Sequence, residues 1–355
     1  MADGTPDIDK VARPPRAELV YPCGEPPQAG QAVEVADGVL WVRSPLPMAL
    51  DHINLWALRD GDGWTIVDTG LNFPAAREGW EAVFEEPLGG RPVKQVICTH
   101  MHPDHVGLAG WMTERFGAPL LMSRLEYITM RMLVSDTGPA PEEAARFYRS
   151  CGWSEAQIAQ WRERYGMFGK GVSSPPVSYR RLEAGQVIEI DGKPWRMIGG
   201  DGHSPEHICL LREADGVFIS GDQLLPRISS NVSIWPTEPD ADPLTDWLTS
   251  LERLKFEVPA DVLVLPAHGE PFMGAHERLD ALIRGHDVSL KRLIKSLREP
   301  KRAIDVFGSL FARPIGDSLL GMATGESLAH LNCLVRRGQA VRETDAEGVW
   351  RWRAV

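Results

Sequence analysis

Four side chains that commonly bind metal ions lie within six residues of this chain: His100, His102, Asp104 and His105. They come directly after the apolar run 96–98, which is typical of a buried strand. Imidazole and carboxylate ligands together suit zinc or another borderline divalent ion. Because ligands this close in sequence cannot all point at one ion, the cluster predicts two ions held by a loop at the end of a strand.

Three later segments have the same form, an apolar run that leads to a possible ligand. The runs are 195–198, 217–219 and 262–265, and they lead to His203, Asp222 and His268. A rigid strand followed by a ligand-bearing loop can bring side chains from distant parts of a sequence to one point. A single histidine or aspartate after a strand is usually a core, turn or capping residue, so the prediction depends on the whole set. Together with the cluster, these residues give seven candidate ligands.

Composition sets the size of the fold. The chain has 355 residues, 43% hydrophobic and 25% charged, so it can bury a large core and exceeds the usual length of one domain. We therefore predict a large domain over 1–285, beginning with an N-terminal arm at 1–30, and a small domain over 286–355. The formal net charge of −11 argues against general nucleic-acid binding by the whole chain.

The cysteines and the N-terminus favour a cytoplasmic protein. Five cysteines are widely spaced and odd in number, which is not a disulfide framework. The first residues are acidic and lack the apolar segment of a signal peptide. No run approaches the ~20 apolar residues of a membrane span. We expect roughly the first 15 residues to form a loose arm.

Asp-Gly pairs and short apolar runs predict two groups of strands. The predicted strands are 39–42, 53–56 and 64–67 in the first half, and 186–190, 195–199, 207–211 and 217–220 in the second. Helical spacing of Ala76, Trp80, Val83 and Phe84, and of apolar residues over 244–254, predicts helices that pack on the sheets. Two strand-rich halves separated by helices fit an α/β fold, an αββα sandwich.

Residues 123–170 interrupt this alternation and predict about three inserted helices. Ser123 with Glu126, and Ser154 with Gln157, have the spacing of capping boxes, and Pro141 is typical of a first helical turn. The insertion is rich in methionine and aromatic residues. These side chains could form a lid that shapes an apolar pocket over the metals, or only a satellite core.

The C-terminal part of the chain, from Ala275 onward, has a pattern of helices followed by a hairpin that differs from the preceding segments. A long helix from Ala275, two helices near 302–312 and 325–337, and a terminal hairpin resemble a winged helix. Residues 286–355 contain twelve Lys and Arg against eight Asp and Glu, a net charge of +4 that leaves −15 for the rest. A basic helix face at Lys291, Arg292 and Lys295 could contact nucleic acid, but packing or homodimerisation is the favoured role.

The His-x-His-x-Asp-His motif at 100–105, followed by His203, Asp222 and His268, resembles the metallo-β-lactamase superfamily over roughly residues 31–285. The resemblance implies that His100, His102 and His203 bind one ion, that Asp104, His105 and His268 bind the other, and that Asp222 bridges them. It also implies that Asp68, in Asp-Thr-Gly, supports a ligand from behind. The metals would lie at one edge of the sandwich, and some members of the superfamily carry a winged-helix tail.

The same resemblance implies a metal-dependent hydrolase. Two divalent ions, Zn²⁺ first with Fe or Mn as alternatives, would share a nucleophilic hydroxide, and Asp104 would orient it or transfer its proton. Because Asp104 and Asp222 are both present, β-lactam cleavage is disfavoured, and a small ester, thioester or lactone is the predicted substrate. Alternatives are an endoribonuclease or phosphodiesterase acting on single-stranded RNA, an iron-dependent oxidoreductase, and a regulator that keeps the site only for folding.

Possible substrate contacts follow from position alone. Arg227, Asn231 and Trp235 come soon after Asp222 and should approach the metals, although a structural loop is an equal interpretation. His52 and His207 lie closest to the motifs among the remaining histidines and are the next candidates.

Overall fold

The computed structural model describes residues 18–48 and 50–355. Its first sheet has seven strands, and their order across the sheet is the same as their order along the chain. The strands are β1 (Ala32–Ala36), β2 (Val39–Pro45), β3 (His52–Asp60), β4 (Gly63–Val67), β5 (Val93–Ile97), β6 (Leu120–Met122) and β7 (Arg180–Arg181). Neighbours from β1 to β4 are antiparallel, and those from β4 to β7 are parallel. Parallel neighbours need crossover connections. The connection from β4 to β5 contains α1 (Pro74–Glu85), and the one from β5 to β6 contains the short α2 (Pro103–Val106) and α3 (Ala109–Phe116).

The second sheet has five strands in the order β12-β11-β10-β9-β8. They are β8 (Val187–Ile190), β9 (Lys193–Gly200), β10 (His207–Arg212), β11 (Val217–Gly221) and β12 (Leu263–Pro266). β8 to β11 form an antiparallel meander, and β12 pairs in parallel with β11 after the crossover helix α7 (Pro243–Glu257). The strands predicted from the sequence are present in both sheets.

The two sheets pack face to face. One buried cluster contains Trp41, Trp56 and Ile97 from the first sheet together with Trp195 and Ile219 from the second. A second cluster lies between the first sheet and its helices, and a third lies between the second sheet and the remaining helices. Burial on both faces of each sheet requires helices outside both, so the predicted αββα sandwich is confirmed.

The insertion contains three helices, as predicted: α4 (Arg124–Ser135), α5 (Glu142–Ser150) and α6 (Glu155–Arg164), followed by a 3-10 helix at Met167–Gly171. The capping box of Ser154 and Gln157 is confirmed. The capping box predicted at Ser123 is wrong, because its side chain accepts no bond from the helix and Glu126 binds other loops instead. Pro141 lies at the N-cap of α5, one residue before the helix.

The C-terminal region contains the predicted helices and hairpin. They are α8 (Ala275–Ser296), a 3-10 helix (Ala303–Val306), α9 (Phe307–Leu310), α10 (Leu320–Arg336), β13 (Ala340–Thr344) and β14 (Trp350–Ala354). Helix α8 runs without interruption through the predicted boundary at 285/286, and one buried cluster joins this region to the second sheet. The region therefore packs on the sandwich, and its likeness to a winged helix stays a prediction.

Three other expectations concern the N-terminal arm, the cysteines and membrane-spanning helices. The arm predicted for the first 15 or so residues lies outside the described residues. Among the residues that are described, the five cysteines are free, and four of them are buried. Across the same residues, no helix combines the length and the apolar character needed to cross a membrane.

Candidate metal centre

The predicted ligands lie at strand ends that meet at one edge of the sandwich. β5 ends shortly before His100, β11 directly before Asp222, and β12 two residues before His268. β11 and β12 are parallel neighbours, so their C-terminal ends are adjacent. His203 lies in the turn between β9 and β10 on the same edge. Ligands from distant parts of the sequence are therefore placed by the sheets and not by flexible loops.

The seven side chains form two groups, and within each group the donor atoms lie within 4.8 Å of one another. The first group is His100, His102, His203 and Asp222, and the second is Asp104, His105 and His268. In the first group, His100 Nε2 lies 2.8 Å from His102 Nδ1 and 3.3 Å from His203 Nε2. In the second, His268 Nε2 lies 3.4 Å from Asp104 Oδ2.

Asp222 lies between the two groups. Its Oδ2 is 3.3 Å from His203 Nε2 in the first group. Its Oδ1 is 3.6 Å from His105 Nε2 and 3.5 Å from His268 Nε2 in the second. One carboxylate thus offers an oxygen to each group, which is the position of a bridging ligand.

Two buried atoms in this centre have no hydrogen-bond partner among the described residues: His105 Nε2 and Asp222 Oδ1. Burying such atoms unpaired is costly, and native proteins avoid it unless an ion or water completes the site. Both atoms are good donors to a divalent cation, and they lie 3.6 Å from each other at the second group. The residues present therefore fit a pair of metal ions.

Three of the imidazole rings are oriented by hydrogen bonds of the ring nitrogen that faces away from the centre. His105 Nδ1–H donates to Asp68 Oδ2 at 2.8 Å, which directs its Nε2 to the centre. His203 Nδ1–H donates to the Asn231 carbonyl at 2.7 Å, and His268 Nδ1–H donates to the His52 carbonyl at 2.9 Å. A bond of this kind fixes which ring nitrogen keeps the lone pair and so prepares the ring for a metal.

Asp68 is the most constrained of these orienting residues. Its Oδ1 accepts from the Thr99 backbone N–H at 2.8 Å, and its Oδ2 accepts from Thr99 Oγ1 at 2.9 Å. Its φ of 59° lies in the left-handed region, where non-glycine residues are uncommon. Strained backbone that is held by several bonds is typical of functional sites. The structure thus places Asp68 in the supporting position that the resemblance implied.

The two groups of ligands differ in the direction in which their histidine pKa values are shifted. Burial alone would lower the pKa of His105, but the carboxylates of Asp68, Asp104 and Asp222 raise it to about 10. Burial lowers the pKa of His102 to about 3, and the neighbouring His203 adds to the effect. Three carboxylates around His105 therefore attract positive charge, which a divalent cation would supply while using the Nε2 lone pair.

His207 has a different role from the substrate contact that its position in the sequence suggested. Its ring is fully buried and stacks on His100, with centroids 4.8 Å apart. Its Nε2 accepts from the Asp222 backbone N–H at 3.2 Å. Gly221 has φ +50°, and a Cβ there would lie 2.6 Å from His207 Nε2, so only glycine allows this approach. Because His207 exposes no surface to a substrate, the earlier expectation is replaced by an orienting role.

The four remaining residues that were predicted to contact the substrate differ in their surroundings. His52 is partly buried beside His268, and its Nε2 accepts from the Gly269 N–H at 3.0 Å. Arg227 is exposed and pairs with Glu270 at 3.1 Å. The side chain of Asn231 donates to Glu326 at 2.9 Å, while Trp235 is 41% exposed. Of this set, Trp235 offers the largest apolar surface.

Glu126 is a buried residue beside the ligands whose position sequence reasoning missed. Its Oε2 accepts from the Met101 N–H at 2.9 Å, within the ligand cluster, and its Oε1 accepts from the Glu206 N–H at 2.8 Å, beside His203. Burial raises the pKa of this carboxyl, which is fully enclosed. Its spacing from Ser123 suggested a helix cap, and no local signal showed that the side chain joins two ligand loops.

The insertion lies beside the centre. At its start, Ser123 Oγ donates to the Glu206 carbonyl at 2.6 Å, and at its end the Gly171 carbonyl accepts from the Asn72 N–H at 3.0 Å. Some of its predicted apolar side chains are buried, such as Tyr127 and Met130, whereas Met132 and Met167 are about half exposed. The buried side chains of the insertion therefore join the clusters that pack on the two sheets, while other apolar side chains stay exposed.

Comparison with known proteins agrees with this centre. The family described as Metallo-beta-lactamase superfamily matches residues 49–268, and the one described as Metallo-beta-lactamase-like, C-terminal domain matches 290–355. The crystal structure of a beta-lactamase domain protein from Burkholderia ambifaria is similar with a TM-score of 0.88 and 41% identity, over 95% of this chain and 98% of that one. A metallo-beta-lactamase family protein from Thermus thermophilus gives a TM-score of 0.75 and 29% identity, over 91% of this chain and 100% of that one.

Curated relatives are more distant. The probable metallo-hydrolase YqjP of Bacillus subtilis is 25% identical over 84% of this chain and 92% of its own length. An atrochrysone carboxyl ACP thioesterase of Aspergillus fumigatus is 24% identical over 76% of this chain and 51% of its own. The chain thus spans about half the length of that thioesterase.

Proposed function

Because the chain belongs to the metallo-beta-lactamase superfamily, we propose that it is a dinuclear metal-dependent hydrolase of a small ester, thioester or lactone. The observation that carries this proposal is the position of Asp222, with one oxygen near each group of histidines. When bound, two divalent cations polarise a carbonyl oxygen and make coordinated water acidic enough to supply a nucleophile near neutral pH. Thioesters are the first class to test, since relatives with that activity in their names align with most of this chain.

The chain's own residues provide charge, orientation and proton transfer. Burial would raise the pKa of Asp104, but His105 and His268 lower it to about 2, so its carboxylate is ionised at neutral pH. An ionised carboxylate beside the centre can hold a water proton and pass it to the leaving group. Asp68 and the carbonyls of Asn231 and His52 keep three imidazoles aimed at the centre.

The proposal is tested by metal quantification together with a substrate panel. Protein purified without added metal is expected to contain about two ions per chain, zinc being the proposed metal. The panel should contain thioesters, carboxylic esters, lactones, phosphodiesters and single-stranded RNA. Turnover of the carbonyl substrates, abolished by a chelator and restored by metal, supports the proposal. Turnover of RNA alone supports the nuclease alternative, and coloured protein containing iron supports the oxidoreductase.

Asp104→Asn separates catalysis from folding. The variant keeps the shape of the side chain but loses the negative charge, so kcat is expected to fall at least about 100-fold. Circular dichroism should show an unchanged fold. Turnover that survives this change at the original rate contradicts the proposed role of Asp104.

A further inference from the structure

A cavity of about 200 Å³ lies between the helical insertion and the C-terminal region. Its apolar wall includes Tyr148, Trp153, Trp161, Trp235, Gly321 and Met322. Polar side chains, among them Gln157 and Arg164, also line it. A concave site lined by aromatic residues with a few polar groups is the usual form of a small-molecule subsite.

The aromatic wall is held in place before any ligand binds. The rings of Tyr148 and Trp153 are stacked with centroids 4.2 Å apart, and Trp161 lies 5.0 Å from Tyr148. Trp153 Nε1–H donates to Thr324 Oγ1 at 3.0 Å, which joins this wall to α10. A fixed aromatic wall loses little conformational entropy when a ligand binds.

Two large apolar side chains of the cavity are open to solvent. Trp235 is 41% exposed and Met322 is 43% exposed, although most tryptophans of this protein are buried in its core. A ligand with flat or apolar surface would remove both side chains from water. The exposed surface therefore favours a ligand that has an apolar part.

The cavity is linked to the metal centre through residues 231–235. The Asn231 carbonyl orients His203, while Trp235 lines the cavity four residues further along. Four residues span at most about 14 Å, so the Cα atom of Trp235 lies within that distance of the Cα atom of Asn231. The segment is fixed to α10, because the Ile234 N–H donates to the Gly325 carbonyl at 3.1 Å and Asn231 donates to Glu326 at 2.9 Å.

From this geometry we propose that the cavity binds the apolar acyl part of the substrate, an aryl-alkyl group above all, while the scissile carbonyl lies at the metal donors. This inference rests on the proposed hydrolase function and adds the chemical class of the acyl group. Stacking on Trp161 and Trp235 would hold a ring, and the polar side chains could bind a substituent on it.

Filling the cavity tests the proposal. A Cβ at Gly321 would meet no atom within 4 Å, and its φ is not in the left-handed region, so Gly321→Leu adds a side chain without strain. Gly285→Leu is the matched control, since a Cβ at Gly285, in α8, also meets nothing within 4 Å and lies outside the cavity. The metal-loaded full-length protein is assayed with acetyl, hexanoyl and 4-phenylbutanoyl thioesters of N-acetylcysteamine.

We expect kcat/KM to be at least about tenfold higher for the 4-phenylbutanoyl than for the acetyl thioester, because burying apolar groups stabilises the transition state. Gly321→Leu should lower this ratio by about tenfold, and Gly285→Leu should leave it unchanged. A ratio near one in the native protein, or a ratio that Gly321→Leu does not change, overturns the inference while the hydrolase proposal stands.

A second measurement applies if no thioester is hydrolysed, which would count against the proposed function. Calorimetric titration with 4-phenylbutanoate measures binding at equilibrium and needs no turnover. Binding to the native protein and to Gly285→Leu, weakened at least about tenfold in Gly321→Leu, supports the cavity as an acyl subsite. No binding to the native protein, or equal binding to all three, overturns it.

Discussion

Among single residues, the metal centre depends on the hydrogen-bond acceptors that orient three of its imidazole rings. His203 and His268 use backbone carbonyls, which no side-chain substitution removes. His105 uses the carboxylate of Asp68, which is held by two bonds from Thr99. A single substitution at Asp68 can therefore disturb the second group of ligands without changing any ligand.

We expect Asp68→Asn to weaken metal binding by about 10- to 100-fold. An amide can donate to His105 Nδ1, which would place the proton on Nε2 and direct it at the metal. Competition with a coloured chelator measures the affinity and the number of ions bound. Asp261→Asn, at an exposed position, is the control. Equal affinity for the native protein and Asp68→Asn would contradict the orienting role.

At the element scale, α4 fixes two ligand loops to each other. Its Glu126 accepts from Met101 in the loop of the ligand cluster and from Glu206 in the loop of His203. Each of the two carboxylate oxygens accepts a hydrogen bond from one of the two loops. The helix thus sets the distance between ligands that are about 100 residues apart in sequence.

Glu126→Gln should lower the free energy of unfolding by about 2 kcal/mol, because an amide offers one acceptor oxygen where two backbone N–H groups need one each. Urea unfolding measures the change, and Glu143→Gln on the exposed face of α5 serves as the control. A stability equal to that of the control would show that Glu126 does not join the loops.

Helices α8 and α10 meet through a pair of buried histidines. His286 Nδ1 lies 3.4 Å from His330 Nε2, and His330 Nδ1–H donates to the Glu326 carbonyl at 2.8 Å. Burial lowers the pKa of His330 from 6.5 to about 4 and that of His286 to about 3. Both rings are therefore neutral in the folded protein under conditions where the unfolded chain would be protonated.

The stability of this interface should depend on pH. A histidine whose pKa is lowered by folding contributes its full stability above pH 6.5 and loses it as the pH falls toward the folded value of about 4. For His330 the loss approaches about 3 kcal/mol. Urea unfolding at pH 7 and at about pH 4 should show a smaller pH dependence in His330→Gln than in the native protein or in His276→Gln. The same dependence in all three would exclude His330 as its source.

At the scale of the whole molecule, the C-terminal region and the second sheet share one core. The cluster contains Leu211 and Phe218 of the sheet, Leu251 of α7, and Leu331 and Trp352 of the C-terminal region. The region also holds the segment that orients His203, through the bonds of α10 to Asn231 and Ile234. Catalytic and C-terminal parts should therefore unfold together.

Unfolding in urea is expected to be one transition, with circular dichroism and tryptophan fluorescence giving the same midpoint. Trp352 is fully buried in the last strand, and Trp352→Ala should lower the free energy of unfolding by about 4 kcal/mol without creating a second transition. Val355→Ala, at an exposed position, is the control. An early second transition that leaves metal binding intact would show that the C-terminal region unfolds independently.

The sequence allowed prediction of the sandwich, of its strands and of the ligand cluster because each has a local pattern. Alternating or apolar runs between Asp-Gly turns indicated β3, β4 and β9 to β11, and ligand-rich segments followed the runs. The capping boxes show where local patterns fail. Ser154 caps its helix. Glu126, at the same spacing from Ser123, instead accepts from the Met101 and Glu206 N–H groups, which are distant in sequence and which the fold brings next to it.

Residue types were enough to predict which side chains could bind metal, and the periodicity of apolar residues was enough to predict which segments become strands. The three-dimensional fold was needed to show that Asp222 lies between two groups of histidines, that His207 is buried against His100, and that α10 supports the segment orienting His203. These features are contacts between residues up to about 100 positions apart. They depend on how the sheets and helices pack in three dimensions, which no local pattern in the chain records.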